Sequence, residues 1–191
     1  MKNTTLLSED AKTYLCCFYK ILDEMVHSMT TAGLGQSISR NFIVQMIPHH
    51  QAAIQFSNNI LRFTENPGLR CAAQRMIRER TQTIGQMEAV LDTCGQLANP
   101  QTDLRLCQRR MDLIYRDMYI KMGSSPENNR LAAVFLRQML PHCLGAAHMA
   151  DTALKYDVST QLVPILRSIA ACQRRDAAQI RTLLGRLDCQ R

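Results

Sequence analysis

The sequence predicts an all-α protein, an up-down bundle of six helices made of two three-helix repeats. Three observations carry this. The word Met46-Ile47-Pro48-His49-His50-Gln51-Ala52-Ala53 returns 93 positions later as Met139-Leu140-Pro141-His142-Cys143-Leu144-Gly145-Ala146, without a gap. At that offset 13 residues between 21 and 91 meet an identical mate, where average composition gives roughly 4 or 5. Gly and Pro are few, Trp is absent, and no long β-branched run alternates with polar residues, so helical periodicity is left to organise the chain.

The elements follow in order. A first helix begins after Ser8, with Glu9 and Asp10 in the first turn, and ends near Thr30 before Gly33 and Gly35; an acidic first turn suits the helix dipole. Ser37 or Ser39 caps a second helix, which carries the first motif and runs to about Thr64. Asn66-Pro67 reads as an N-cap followed by proline at the first helical position, opening a third helix that stops at Cys94-Gly95. The same syntax repeats: Asn99-Pro100 opens the fourth helix, which ends at Gly123, and Ser125-Pro126-Glu127 opens the fifth. A break at 157–159 precedes the sixth, which holds Pro164 in its first turn and runs to about Leu187. The halves divide as 1–98 and 99–191, packed as one body, with short loops that favour antiparallel neighbours.

Composition narrows the function classes. The net charge of +7, from 18 Arg and 5 Lys, raises an anionic partner such as nucleic acid. Yet the basic residues are scattered with little aromatic interleaving, so a solvated helical face is the simpler account and nucleic acid is not expected. The N-terminus turns polar and acidic before a signal-length apolar segment forms, and no apolar run approaches a membrane span. A cytoplasmic protein without a membrane partner is expected, monomer or homodimer, its protein partner unread. The eight cysteines then read as reduced thiols, most of them small buried residues.

On a helix Met46, His49, His50, Ala53 and Ser57 share one face. Such a face is ordinarily apolar, and each imidazole placed there needs a partner, because an unpaired buried polar group costs roughly 1 to 3 kcal/mol. Pro48 and Pro141 interrupt the backbone beside the histidines, either kinking a helix or starting a new one. Imidazole, thioether and thiol form a soft ligand set that suits Cu(I) best, zinc less well, and Mg(II) or Ca(II) poorly. The candidate metal ligands are therefore Met46, His49 and His50 with Met139, His142 and Cys143, brought together if the halves pack about a pseudo-twofold axis. Met25, Met29, Met118 and Met122 occupy symmetric positions, where filling the core is methionine's ordinary role.

Phe42-x-x-x-Met46-x-Pro48-His49-His50-x-x-Ala53-Ile54, followed by a helix ending in Ile84-x-x-Met87-x-x-x-Leu91, resembles the domain-of-unknown-function family numbered 305. The resemblance implies a ferritin-like helical bundle and an association of some members with copper binding or tolerance. The family pattern has a Met six residues after the second His, where this chain has Phe56 in the first copy and Met149, a further candidate ligand, in the second. It also has Gln-x-x-Glu on the next helix, against Arg80 and Thr83 in one copy and Gln173 and Asp176 in the other. Cys143 stands for the second His of the second copy. Each copy thus keeps part of the pattern, and one composite site between them is the reading that uses both. Many family members are exported, which is not expected of this chain, so a periplasmic scavenging role does not transfer.

Two functions follow: a metal-binding protein that sequesters or senses Cu(I), or a structural or interaction module whose ancestral site has degenerated. Catalysis is not expected. A di-iron site of the ferritin kind needs two Glu-x-x-His pairs, and only Glu24-Met25-Val26-His27 has that spacing.

Overall fold

The computed structural model describes residues 6–189, and among them are six α-helices and no strand. They are α1 (Glu9–Thr30), α2 (Ile38–Leu61), α3 (Pro67–Cys94), α4 (Gln101–Gly123), α5 (Leu131–Ala153) and α6 (Leu162–Asp188). No helix is long and apolar enough to cross a membrane.

Capping explains the first three starts. Ser8 Oγ accepts from the Ala11 N–H at 3.2 Å, Ser37 Oγ from Arg40 at 3.3 Å, and Asn66 Oδ1 from Leu69 at 3.0 Å, with Pro67 at the first helical position. Each satisfies a donor that the first turn leaves without a helical partner.

The later boundaries correct the sequence reading. α2 stops at Leu61 instead of about Thr64, because the Arg70 guanidinium reaches back to the Leu61 and Thr64 carbonyls at 3.1 and 2.9 Å and closes the chain into a turn. Asn99 does not cap α4, whose N-cap is Pro100. Its amide is drawn elsewhere: Oδ1 accepts from the Ile38 N–H at 2.8 Å and Nδ2 donates to the Asp157 carbonyl at 2.6 Å. One side chain thereby ties the start of α2 to the α5–α6 link. α5 begins at Leu131 and not at Ser125-Pro126-Glu127, since that segment's polar groups bond to the first helix region. Glu127 accepts from the Tyr19 hydroxyl at 2.7 Å, and Asn129 Oδ1 from the Ser8 N–H at 2.8 Å.

Packing sets the two motif helices at the centre. Consecutive helices α1 to α3 pack as neighbours, as do α4 to α6, and contacts between the two sets run α1 to α4, α2 to α5 and α3 to α6. α2 and α5 therefore have neighbours on three sides, and Met46, Met139 and Met149 are all buried on them. Pro48 and Pro141 lie inside these helices, which continue through both. The cysteine expectation is also corrected. All eight are free, but only Cys94, Cys107 and Cys143 are buried, while Cys16, Cys71 and Cys189 are exposed. Helix stripes, and not thiol hydrophobicity, decided their depth.

Candidate functional site

The face that carries Met46, His49 and His50 on α2 meets the face of α5 that carries Met139, His142 and Cys143. The closest encounter is between the two mates: the His49 and His142 rings stack with centroids 3.8 Å apart and planes 25° from parallel. His50 stands 6.0 Å from His49 at 51°. Phe56, at the position where the resembled pattern has Met, packs its ring edge-on to His142 at 5.8 Å and 84°.

All three imidazoles are buried, and five of their ring nitrogens make no hydrogen bond of ordinary geometry: both of His49, both of His142, and Nδ1 of His50, the His49 and His142 rings each reaching only weakly toward the other's backbone. Burial disfavours the charged form, and the Arg80 guanidinium pushes the same way. His49 is brought down to about 3 by burial first and Arg80 next, with the His142 carbonyl working weakly against them. Burial likewise takes His50 and His142 well below the ordinary histidine value, each helped by neighbouring imidazoles and by Arg80. At neutral pH these rings are uncharged and keep a free lone pair. Burial pushes the Cys143 thiol up to about 12, although Arg80 pulls against it. Nearly parallel rings point their in-plane lone pairs side by side, so an ion shared by His49 and His142 requires one ring to turn.

A second buried polar group lies between α3 and α6. Arg80 and Asp176 are both buried; Arg80 Nη2 donates to Asp176 Oδ2 and to Gln173 Oε1 at 2.9 Å, and its Nη1 lies 3.1 Å from Cys172 Sγ. Arg75 Nη2 donates to Asp176 Oδ1 at 2.8 Å, and Arg175 Nη2 reaches both oxygens of Glu79 at 2.8 Å. Burial works against the Arg80 charge, but Cys143, Asp176 and Cys172 outweigh it and hold the guanidinium protonated more firmly than usual.

Among the described residues, the cluster whose ligand-type atoms all lie within 4.8 Å of one another is Glu79, Cys172 and Asp176. Three guanidiniums already occupy those carboxylates, which makes the cluster an ion-pair network. The sequence reading named Arg80, Gln173 and Asp176 only as departures from a pattern, and passed over Glu79, Arg75 and Cys172. A usable signal was present. Arg80 falls on the buried stripe of α3 with Ala73, Met76 and Met87, and a charge on such a stripe demands a counter-charge. His27 and His148 are both exposed.

Neutral buried imidazoles without partners, beside a thiol and thioether-bearing helices, have the chemistry of a soft-ion site. The guanidinium near them opposes a cation.

A family model described as "Domain of unknown function (DUF305)" matches residues 21–91 and 39–184. Among solved structures, a crystal structure of a DUF305 fragment from Deinococcus radiodurans superposes with a TM-score of 0.57 at 23% identity, covering 78% of this chain and 96% of that one, which shows a shared fold. No curated protein matches the chain. With the family's motif read in both α2 and α5 and the model match running through both, the chain belongs to the DUF305 family.

Proposed function

We propose that this protein is a non-catalytic, cytoplasmic binder of a soft monovalent metal, with Cu(I) the best match, built as a ferritin-like duplication whose two halves, 1–98 and 99–191, share one site. The observation that carries the reading is the set of five partnerless nitrogens on His49, His50 and His142. Native proteins leave few buried polar atoms unpaired, and such atoms call for water, an ion or a functional explanation. His49, His142 and Cys143 would hold the ion, with His50 and the thioethers of Met46, Met139 and Met149 as further donors; the ion supplies charge neutralisation of a thiolate and no reaction.

Charge balance selects the ion. Arg80 and Asp176 cancel each other, so Cys143 deprotonated by metal binding needs one positive charge. A monovalent ion leaves the buried region neutral. Zn(II) leaves a net charge there, at a desolvation penalty of several kcal/mol.

Protein made without a histidine tag tests this by anaerobic Cu(I) competition against a chromogenic chelator. About one Cu(I) per chain in wild type, lost in His49→Ala/His142→Ala, is the expected result, from a site that draws on both copies. No competition by wild type, or unchanged stoichiometry and affinity in the double variant, overturns it.

The stacked rings and the Arg80 charge already neutralised by Asp176 favour a second reading, a degenerate site kept as core architecture. Under it Cu(I) leaves the melting temperature unmoved and the double variant is only less stable.

A further inference from the structure

The two halves carry the same groove on their outer faces, and only one has been enlarged. Between α1 and α2 the groove holds about 100 Å³, with Ile21, Met25, Pro48 and Ala52 in its lining. Between α4 and α5 their mates Ile114, Met118, Pro141 and Gly145 line one of about 420 Å³. Three substitutions account for the change. Gln51 becomes Leu144 and Lys20 becomes Leu113, which adds apolar wall beside the charged Asp117, Lys121 and Arg137. Ala52 becomes Gly145, where an added Cβ would lie 2.8 Å from Met118 Sδ, so the glycine gives room for the methionine to pack under the floor.

The surface beside it has diverged in the same direction. Leu106, Leu113 and Ile120 are 55%, 62% and 54% exposed and recur every seventh residue along α4. Their first-half mates are Thr13, Lys20 and His27, all exposed and all polar. The apolar stripe is thus not a by-product of the fold, because the same fold is polar where the stripe would be. Fourteen residues of helix make it about 21 Å long, the length of a docked helix and not of a small molecule.

Charge selects the occupant. Where α1 has Cys16, Cys17, Asp23 and Ser28, α4 has Arg109, Arg110, Arg116 and Lys121. Lys121 is spent on Asp117 at 2.7 Å and Asp112 stands where α1 has Tyr19, so the cations added along the stripe are Arg109, Arg110 and Arg116. A second copy docking by this face would bring those cations onto its own. We infer that the α4–α5 face is a docking groove for an acidic amphipathic helix of a partner protein, its apolar side against Leu106, Leu113 and Ile120 and its carboxylates against the arginines. Helix-in-groove recognition is read through apolar anchors at this spacing, and complementary charge sets partner choice.

The probes are two synthetic amphipathic helices of about 20 residues, alike in apolar positions, one flanked by Glu and the other by Lys, titrated by fluorescence anisotropy. Wild type is expected to bind the Glu peptide at least about ten-fold tighter than its Lys twin, with the difference shrinking in salt. Leu106→Thr/Leu113→Lys/Ile120→His, which restores the first-half residues on exposed positions, should lose that binding while the melting temperature stays unchanged. Equal affinity for the two peptides, retention by the triple variant, or no binding of the Glu peptide overturns the inference. So does sedimentation showing a wild-type dimer that the triple variant dissolves, which would make a second copy the occupant.

Discussion

Two buried polar regions lie side by side in this bundle and have been finished differently. Between α3 and α6 the buried charges are paired: Arg80 and Arg75 share Asp176, and Arg175 takes both oxygens of Glu79, while Arg75 Nε, Arg80 Nε and Gln173 Nε2 are left without an acceptor. Between α2 and α5 the polar groups are neutral imidazoles, and five of their nitrogens make no hydrogen bond of ordinary geometry. Burying a charge without its partner costs far more than burying a neutral ring, so the first region had to be completed by the chain itself. The second could be left open to something that is not the chain. The difference separates architecture from a candidate site more sharply than burial does, because both regions are buried.

Breaking the paired side should give the largest effect. Asp176→Ala leaves the buried Arg80 charge with neutral Gln173 and Cys172 and with Glu79 only at 3.8 Å, and about 3 to 5 kcal/mol of unfolding free energy should be lost in urea titrations. Arg80→Met/Asp176→Leu removes both charges at similar volume and should recover most of that loss. If the double variant is as unstable as the single, the network does more than neutralise itself, and the contrast with the histidine side fails.

Acid acts on the open side. The folded pKa of His49, about 3, lies below its unfolded value near 6.5, so between those values the unfolded chain binds the extra proton and stability rises with pH. Stability is complete above about 6.5 and falls as pH drops through that value, by about 1.4 kcal/mol for each unit from this residue, with His50 and His142 acting in the same direction. Urea midpoints at pH 7.5 and 5.5 should show the fall in wild type and a shallower one in His49→Phe. Equal slopes would mean that the imidazole accepts a proton in the folded state.

Much of this contrast was legible in the sequence, though not its partners. Ser8, Ser37 and Asn66 announce their helices because each side chain is spent locally on the first turn. Asn99 and Ser125-Pro126-Glu127 have the same look and mislead, because their polar groups, or those just beyond, are spent over long range on α2's start, Tyr19 and Ser8. The repeat makes His49 and His142 mates, and the structure stacks them. It could not give their rotamers, which depend on what Phe56 and its neighbours leave free. The ion-pair network escaped for a related reason. Arg80 matches Gln173 and Thr83 matches Asp176 across the repeat, so the salt bridge joins positions that are not mates, and comparing the two copies cannot find it.

The smallest effect is the one that best separates the two regions. His49→Phe at pH 7.5 replaces a neutral ring, both of whose nitrogens are unpartnered, by an apolar ring of similar shape that can still stack on His142. No hydrogen bond of the ring is lost, and the cost of keeping two polar atoms from water disappears. Against this stands a modest overpacking term from the larger phenyl ring. The two oppose each other, so the expected change in metal-free unfolding free energy is within about 1 kcal/mol of zero, set beside the several lost in Asp176→Ala. Cu(I)-dependent stabilisation should disappear in the same variant, since a ligand that binds only the folded state raises its melting temperature by mass action. A loss above about 3 kcal/mol in the metal-free protein would show that His49 has polar partners beyond the protein's own atoms, such as bound water, and that the α2–α5 region is as complete as the network beside it.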